Sequence, residues 1–434
     1  MLHLPRGILW PLALSAMAVI ATPGWGDDWP QWRGPTRDGE WRETGIVAKF
    51  AAAKLPTKWR AAIGPGYSGP TVAQGRVYVS DRLTKPEEVE RVHCFDEQTG
   101  KPLWSHQYLC RYGRVGYQAG PRASITIVEG RAYALGATGW LHCYEAADGK
   151  LLWEKDLEKM YDIQMPIWGI AGAPFIVDDL VILHLGGKNA CIVALNRETG
   201  DEVWKSLADR AQYTTPILVR QMGKPVLVCW TGDSVAGLDP ATGKPYWREE
   251  FKPRNMPIGV ATPVAQQDEI YFTSFYDGSL LLRLRPDEMA VETVWKIAGR
   301  SEQDTDALHS IISTPVFDGK FIYGVDSYGE LRCLNAADGK RLWKNLTATP
   351  NTRWSTIHFV KNGNRYFLFN ERGELLIGKL TPQGFEELSR ASLLAPTTDQ
   401  LPQRQGVCWS HPAFANKCVF ARNDKELVCA SLAE

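Results

Sequence analysis

Short runs of apolar, β-branched and aromatic residues recur along the chain, divided by turns that contain glycine. The stretch 123–155 shows the unit most clearly. ASITIV (123–128) and RAYALG (131–136) flank a turn at Glu129-Gly130, WLHCYE (140–145) follows Thr138-Gly139, and KLLWEK (150–155) follows Asp148-Gly149. Four such runs with tight turns between them predict an antiparallel four-stranded sheet. The stretch 313–343, STPVFDGKFIYGVDSYGELRCLNAADGKRLW, repeats the order, and no strong helical pattern interrupts the series.

The repeat has a period. Its turn and last strand return as CFDEQTGKPLW, CYEAADGKLLW, ALNRETGDEVW, GLDPATGKPYW, RLRPDEMAVETVW and CLNAADGKRLW, ending on Trp104, Trp153, Trp204, Trp247, Trp295 and Trp343. The intervals are 49, 51, 43, 48 and 48 residues, within the roughly 40–50 that marks solenoids, propellers and arrays. Innermost strands begin near Gly69, Ala123, Ala173, Thr215, Thr262, Thr314, Thr356 and Pro412, which makes eight units. The last repeat stops after three strands, while LPTKWRAAI (55–63) is an outer strand without a unit, 45 residues before Trp104 at its Trp59. These features predict an all-β, eight-bladed propeller whose ring is closed by the N-terminal strand, a device that removes an open sheet edge. Asp96, Asn196, Asp239 and Asn335 suit Asx turns, and the glycines that follow supply positive φ. The repeated tryptophan, on the outermost strand, is read as a seal between blades.

Composition changes this picture little. Hydrophobic residues at 44% and charged residues at 23% describe a globular chain. The 49 basic and 49 acidic residues cancel, which argues against nucleic acid as a partner. Residues 1–26 have Arg6 ahead of an apolar core from Ile8 to Ile20, the pattern of a cleaved export signal, and no later stretch is long and apolar enough to span a bilayer. The expected division is therefore 1–26 signal, 27–56 leader and 57–434 propeller, with a periplasmic or secreted location. Cys94, Cys143, Cys191, Cys333 and Cys429 fall near one position of five repeats and read as small apolar fillers. Cys110, Cys408 and Cys418 fall outside that pattern, with a Cys408–Cys418 bridge left open.

The DxxTGKxxW endings resemble the quinoprotein-like β-propeller repeat, named for pyrroloquinoline quinone (PQQ), over residues 57–434. DWPQWRGPTRDG (28–39) resembles the leader of secreted bacterial propellers of this group, and 120–153 resembles the blade that follows it. The resemblance implies the propeller fold and two functional expectations. Some relatives are dehydrogenases that hold the quinone under two adjacent cysteines with calcium beside it; another is a non-catalytic outer-membrane-assembly lipoprotein. This chain has no adjacent cysteines and no lipobox cysteine before Cys94. No cofactor is expected, with PQQ and calcium as the alternative.

Chemistry is expected where strands enter the inner ring, because ring symmetry converges those positions on one axial funnel. The residues there are Tyr67, Arg122, Trp168, Tyr213, Arg353, Trp354 and Trp409 as ligand contacts, with His309 and His411 as acid–base candidates. Such a set suits an anionic, sugar-like or planar ligand. A metal site would need Asp304 or Asp306 beside the histidines. The leader tryptophans Trp29, Trp32 and Trp41, with Arg33, are read as packing onto the propeller beside Trp59, with a lid or docking strap as the alternative. The preferred function is an exported binding or scaffold propeller engaging a small molecule or a protein partner at its top; a quinone-dependent alcohol or sugar dehydrogenase and a carbohydrate-processing propeller are the alternatives.

Overall fold

The computed structural model describes residues 28–434; the expected export signal lies outside them. Among the described residues, 32 strands form eight four-stranded antiparallel sheets, and the only helix is the short Leu157–Tyr161. Seven sheets use four strands consecutive in sequence. The eighth joins Ala413–Ala415, Cys418–Arg422 and Glu426–Ser431 to Thr57–Ala62, with Trp59 opposite Cys429 and Ala62 opposite Glu426. The expected closure by the N-terminal strand is present.

The repeated tryptophans are clasps as well as seals. Each indole N–H reaches across to a backbone carbonyl at the turn of the next blade: Trp59 to Glu97 at 2.7 Å, Trp104 to Ala146 at 3.1 Å, Trp153 to Arg197 at 3.2 Å and Trp295 to Ala336 at 2.7 Å. The ring then lies on that turn's glycine, so a Cβ at Gly149 would fall 2.5 Å from Trp104 Cδ2 and one at Gly243 2.4 Å from Trp204 Cε3. The glycine thus answers two demands, a positive φ and a seat for the preceding blade's indole. Blade five has no such turn, and Trp247 departs accordingly. It donates to Gln221 of its own blade, whose amide donates to the carbonyls of Arg285, Glu288 and Ala290. Gly149→Val is expected to cost about 3 kcal/mol, from the positive φ and the lost seat together. Gly319→Val, also at positive φ but in open space, should lose only the backbone part. Equal urea midpoints for the two variants would refute the seat.

Opposite four of the repeated tryptophans the third strand carries a cysteine, which leaves room for the ring; opposite Trp295 it carries Leu281. Cys94, Cys143, Cys333 and Cys429 hold this place, all fully buried. Cys191 does not: Ala194 faces Trp204, and Cys191 lies three residues earlier in the strand. The filler reading thus applies to four of the five cysteines by position. Cys408 and Cys418 are free thiols with different neighbours, Cys408 Sγ on the Ala395 carbonyl and Cys418 Sγ 3.8 Å from Lys58 Nζ.

The inner ring is stitched by hydroxyls. Thr215 Oγ1 accepts the Ala173 N–H at 2.9 Å, Thr314 Oγ1 accepts that of Thr262 at 3.1 Å, and Ser313 Oγ that of Ile357 at 2.9 Å. Small hydroxyl residues satisfy strand-end donors that the crowded axis leaves without a ladder partner. The leader crosses beneath this ring. Trp29 pairs with Val72 of blade one, Pro30 accepts from Ile127 of blade two, Arg37 donates to Ile176 of blade three, and Trp41 packs on Phe367 and Phe414 of blades seven and eight. Trp29 and Trp41 join the buried cluster that includes Trp59. Trp32 leaves it and points up the axis.

Candidate functional site

A cavity of about 160 Å³ lies on the ring axis at the starts of the inner strands. Its walls are small and apolar at strand level, with Ala171, Ala173, Val260, Ile311 and Ile312. Its mouth is aromatic. Tyr117 stands at the centre, with ring centroids of Trp168, Trp409 and Trp354 at 5.6, 6.1 and 6.4 Å. Tyr117 and Trp354 both adopt left-handed backbone conformations, at φ +52 and +68. For bulky side chains this is an unusual backbone state, held only where the surroundings over-determine it. Here the Trp354 N–H is fixed on the Ser327 carbonyl at 2.5 Å, and Arg353 stacks 4.5 Å over the indole.

The floor is Trp32. Its N–H donates to Thr262 Oγ1 at 2.8 Å, and its ring meets His411 edge to face at 4.4 Å. His411 packs into the space left by Gly69, where a Cβ would fall 2.4 Å from His411 Cε1. The partners assign the histidine tautomers. His411 Nδ1 faces the Pro412 carbonyl at 3.3 Å, so its Nε2 accepts the Ser124 hydroxyl at 2.7 Å. His358 Nε2 donates to the Trp409 carbonyl at 2.8 Å. Burial pushes His411 down to about 3, helped by neighbouring His358, and pushes His358 itself down to about 4. Both imidazoles are therefore neutral near pH 7.

Of the residues expected in the funnel, Tyr67, Arg122, Trp168, Tyr213, Trp354, Trp409 and His411 line the cavity. Two do not. His309 is fully buried, its Nδ1 on the Phe275 carbonyl at 2.8 Å and its Nε2 accepting the Gly299 N–H at 3.0 Å. Both nitrogens are spent on backbone, so it has no proton to exchange with a ligand. Arg353 turns outward to Glu302 at 2.7 Å. Asp304 and Asp306 do not line the cavity, and the described residues contain no metal-binding group of three or more His, Cys, Asp or Glu. Arg122 touches the cavity, but its guanidinium is committed to the Gly116, Tyr117 and Gly120 carbonyls and lies 5.1 Å over the Tyr67 ring. It braces the loop that carries Tyr117.

Four contributors were not anticipated: Trp32, Tyr117, Ser124 and His358. His358 was the most accessible, since it sits one residue inside the inner strand Ile357–Asn362, where alternation turns side chains to the axis. The arrangement does not fit a quinone with calcium. Among the described residues no carboxylate lines the cavity, whereas calcium takes about six to eight oxygens. The lining arginine, Arg122, has three of its five N–H groups on loop carbonyls, and the volume is near that of an engineered cavity of about 150 Å³ that takes a single benzene ring.

The family model described as outer membrane protein assembly factor BamB matches residues 88–345 and 293–434. The BamB of Shewanella oneidensis is 21% identical over 261 residues, covering 58% of this chain and 65% of the relative. That of Yersinia pestis is 20% identical over 279 residues, covering 61% and 66%. The chain thus matches just under two thirds of the length of these curated relatives. Among solved structures, BamB from Moraxella catarrhalis superposes with a TM-score of 0.59 at 15% identity, over 87% of this chain and 98% of the other. A quinohemoprotein alcohol dehydrogenase from Comamonas testosteroni gives 0.66 at 14%, over 94% and 81%. Those likenesses establish the fold alone; the family match goes further, and this chain belongs to the PQQ-like repeat family described as outer membrane protein assembly factor BamB.

Proposed function

We propose that this protein is an exported binding or scaffold propeller that carries out no chemistry of its own. One observation carries the reading: both histidines and the arginine that line the axial cavity are already engaged by the protein. His411 is paired with Ser124, His358 with the Trp409 carbonyl, and Arg122 with three loop carbonyls. General acid–base catalysis needs a group whose proton is free to move near the working pH, and these histidines are held neutral far below it. The left-handed Tyr117 and Trp354 support binding at the mouth, since strained backbone concentrates at functional positions.

The relatives named as outer membrane assembly factors make a protein the preferred partner, engaged on the face that bears the mouth, in the periplasm or beyond the cell. The balanced charge supports a partner other than nucleic acid. No helix among the described residues is long and apolar enough to cross a membrane.

The alternative is a quinone-dependent dehydrogenase, and one experiment separates the two. PQQ and calcium titrated into the mature chain should release no binding heat up to millimolar concentration, and dye-linked alcohol oxidation should stay at background. Micromolar binding with turnover would overturn the binding reading.

A further inference from the structure

The ligand class of the axial cavity follows from what the channel already holds. Its lower compartment contains an indole, that of Trp32, seated edge-on against His411 at 4.4 Å with its N–H on the Thr262 hydroxyl at 2.8 Å. This occupant comes from the leader and belongs to no blade. The compartment above it, about 160 Å³, is bounded by Tyr117, Trp168, Tyr213 and Trp409, so the same surface chemistry continues upward past the Trp32 ring. We propose that this upper compartment is a binding site for a small neutral molecule with one aromatic ring and one hydrogen-bonding group, of the phenol or indole class. The inference rests on the binding reading above and names the ligand of that site.

Three further observations narrow the class. First, the lining is built for neither sign of charge. An anion would need several donors, and Arg122 already holds three of its five N–H groups on the Gly116, Tyr117 and Gly120 carbonyls. A cation would find aromatic faces, yet it would sit beside the Arg122 guanidinium with no carboxylate among the described residues that line the cavity. Second, the lining keeps acceptor capacity at Ser124. Ser124 gives its proton to His411 Nε2, and a hydroxyl oxygen has two lone pairs, so Ser124 Oγ can accept the O–H or N–H of a bound ring. Third, the size suits one ring, since an apolar cavity of about 150 Å³ takes benzene. A fused three-ring quinone exceeds it.

The test uses the mature full-length chain, with indole and p-cresol as probes and binding read by calorimetry and tryptophan fluorescence. One ring is expected to bind per chain. Ala171→Leu, which puts three added carbons into the compartment, should weaken binding at least tenfold while leaving the melting curve and circular dichroism in place. Trp32→Ala empties the lower compartment, so indole should then bind with a stoichiometry of two and restore the melting temperature lost by the substitution. Benzoate and tetramethylammonium should not compete.

N-Acetyltyrosinamide distinguishes the source of the ring. Binding equal to that of p-cresol assigns the ring to a side chain on a partner polypeptide, and weaker binding assigns it to a free molecule; either supports the class. Absence of ring binding to the native chain would overturn the inference, as would tighter binding of benzoate or tetramethylammonium. That result leaves the binding reading intact, whereas PQQ turnover would overturn the binding reading and leave the ring calorimetry to stand or fall by itself.

Discussion

Trp59→Ala is expected to destabilise the ring by about 3–5 kcal/mol, more than the same substitution at any clasp inside the chain. Trp59 is 7% exposed, its ring lies 6.0 Å from Phe420 and over Gly100, and its N–H is fixed on the Glu97 carbonyl at 2.7 Å. Trp153 makes the equivalent contacts between blades two and three, with its N–H on Arg197 and its ring over Gly200. Those blades are also joined by the chain. At the seam between blades eight and one, side chains and the strand Thr57–Ala62 must hold blades whose strands are separated by the whole propeller, and opening releases that strand's chain entropy.

The fully buried Arg422 works at the same seam, donating to Ser80 at 2.7 Å and Gly64 at 2.6 Å. Urea midpoints for Trp59→Ala and Trp153→Ala, with protease sensitivity of the N-terminal strand, check the comparison. Equal losses and equal protection would show that the seam is no weaker than any other blade junction.

Acid is the second large effect. His142, His184, His358 and His411 are all held below the ordinary imidazole range by burial, at about 3, 4, 4 and 3. A group whose folded pKa is depressed releases its proton on folding, so its contribution is complete above about 6.5 and is lost as pH falls towards the folded value. For His142 and His184, 0% and 3% exposed, this is on the order of 3 kcal/mol each.

Glu371 and Asp424 act in the opposite sense, since burial raises their carboxyls and the folded state takes up protons as pH drops. Stability should therefore fall between about pH 6.5 and 4 with a slope that the carboxyls blunt. His184→Gln and His142→Phe isolate the histidine part: each should flatten the acid limb of urea midpoint against pH. An unchanged limb in both would refute the assignment.

Much of this molecule was legible in the repeats, for a local reason. A turn that needs positive φ, followed by an outer-strand tryptophan, is specified within about ten residues, and so is the alternation that makes each strand. Blade number, strand order and the closing role of Trp59 all follow from counting such units. The glycine's second duty was not legible, because the indole it seats belongs to the preceding blade.

The cavity was legible only in part. Tyr67, Trp168, Tyr213, Trp354 and Trp409 precede inner strands, and ring symmetry alone brings such positions to the axis. His309 and Arg353 precede inner strands too, yet their side chains follow local partners, the Phe275 carbonyl and Glu302, away from it. Position along a repeat determines where a backbone enters the ring; it does not determine where a side chain turns.

The opening pattern of apolar runs and glycine turns therefore determined by itself the eight blades, their strand order and the seam at Trp59, since each depends on residues close in sequence. Only the tertiary structure decided what fills the axis. Trp32 comes from the leader, His411 from the last blade and Tyr117 from a loop after the first, and no local period relates them. They meet because a closed ring leaves a hole at its centre, and the apolar surface exposed there is buried by whichever aromatic side chains can reach it.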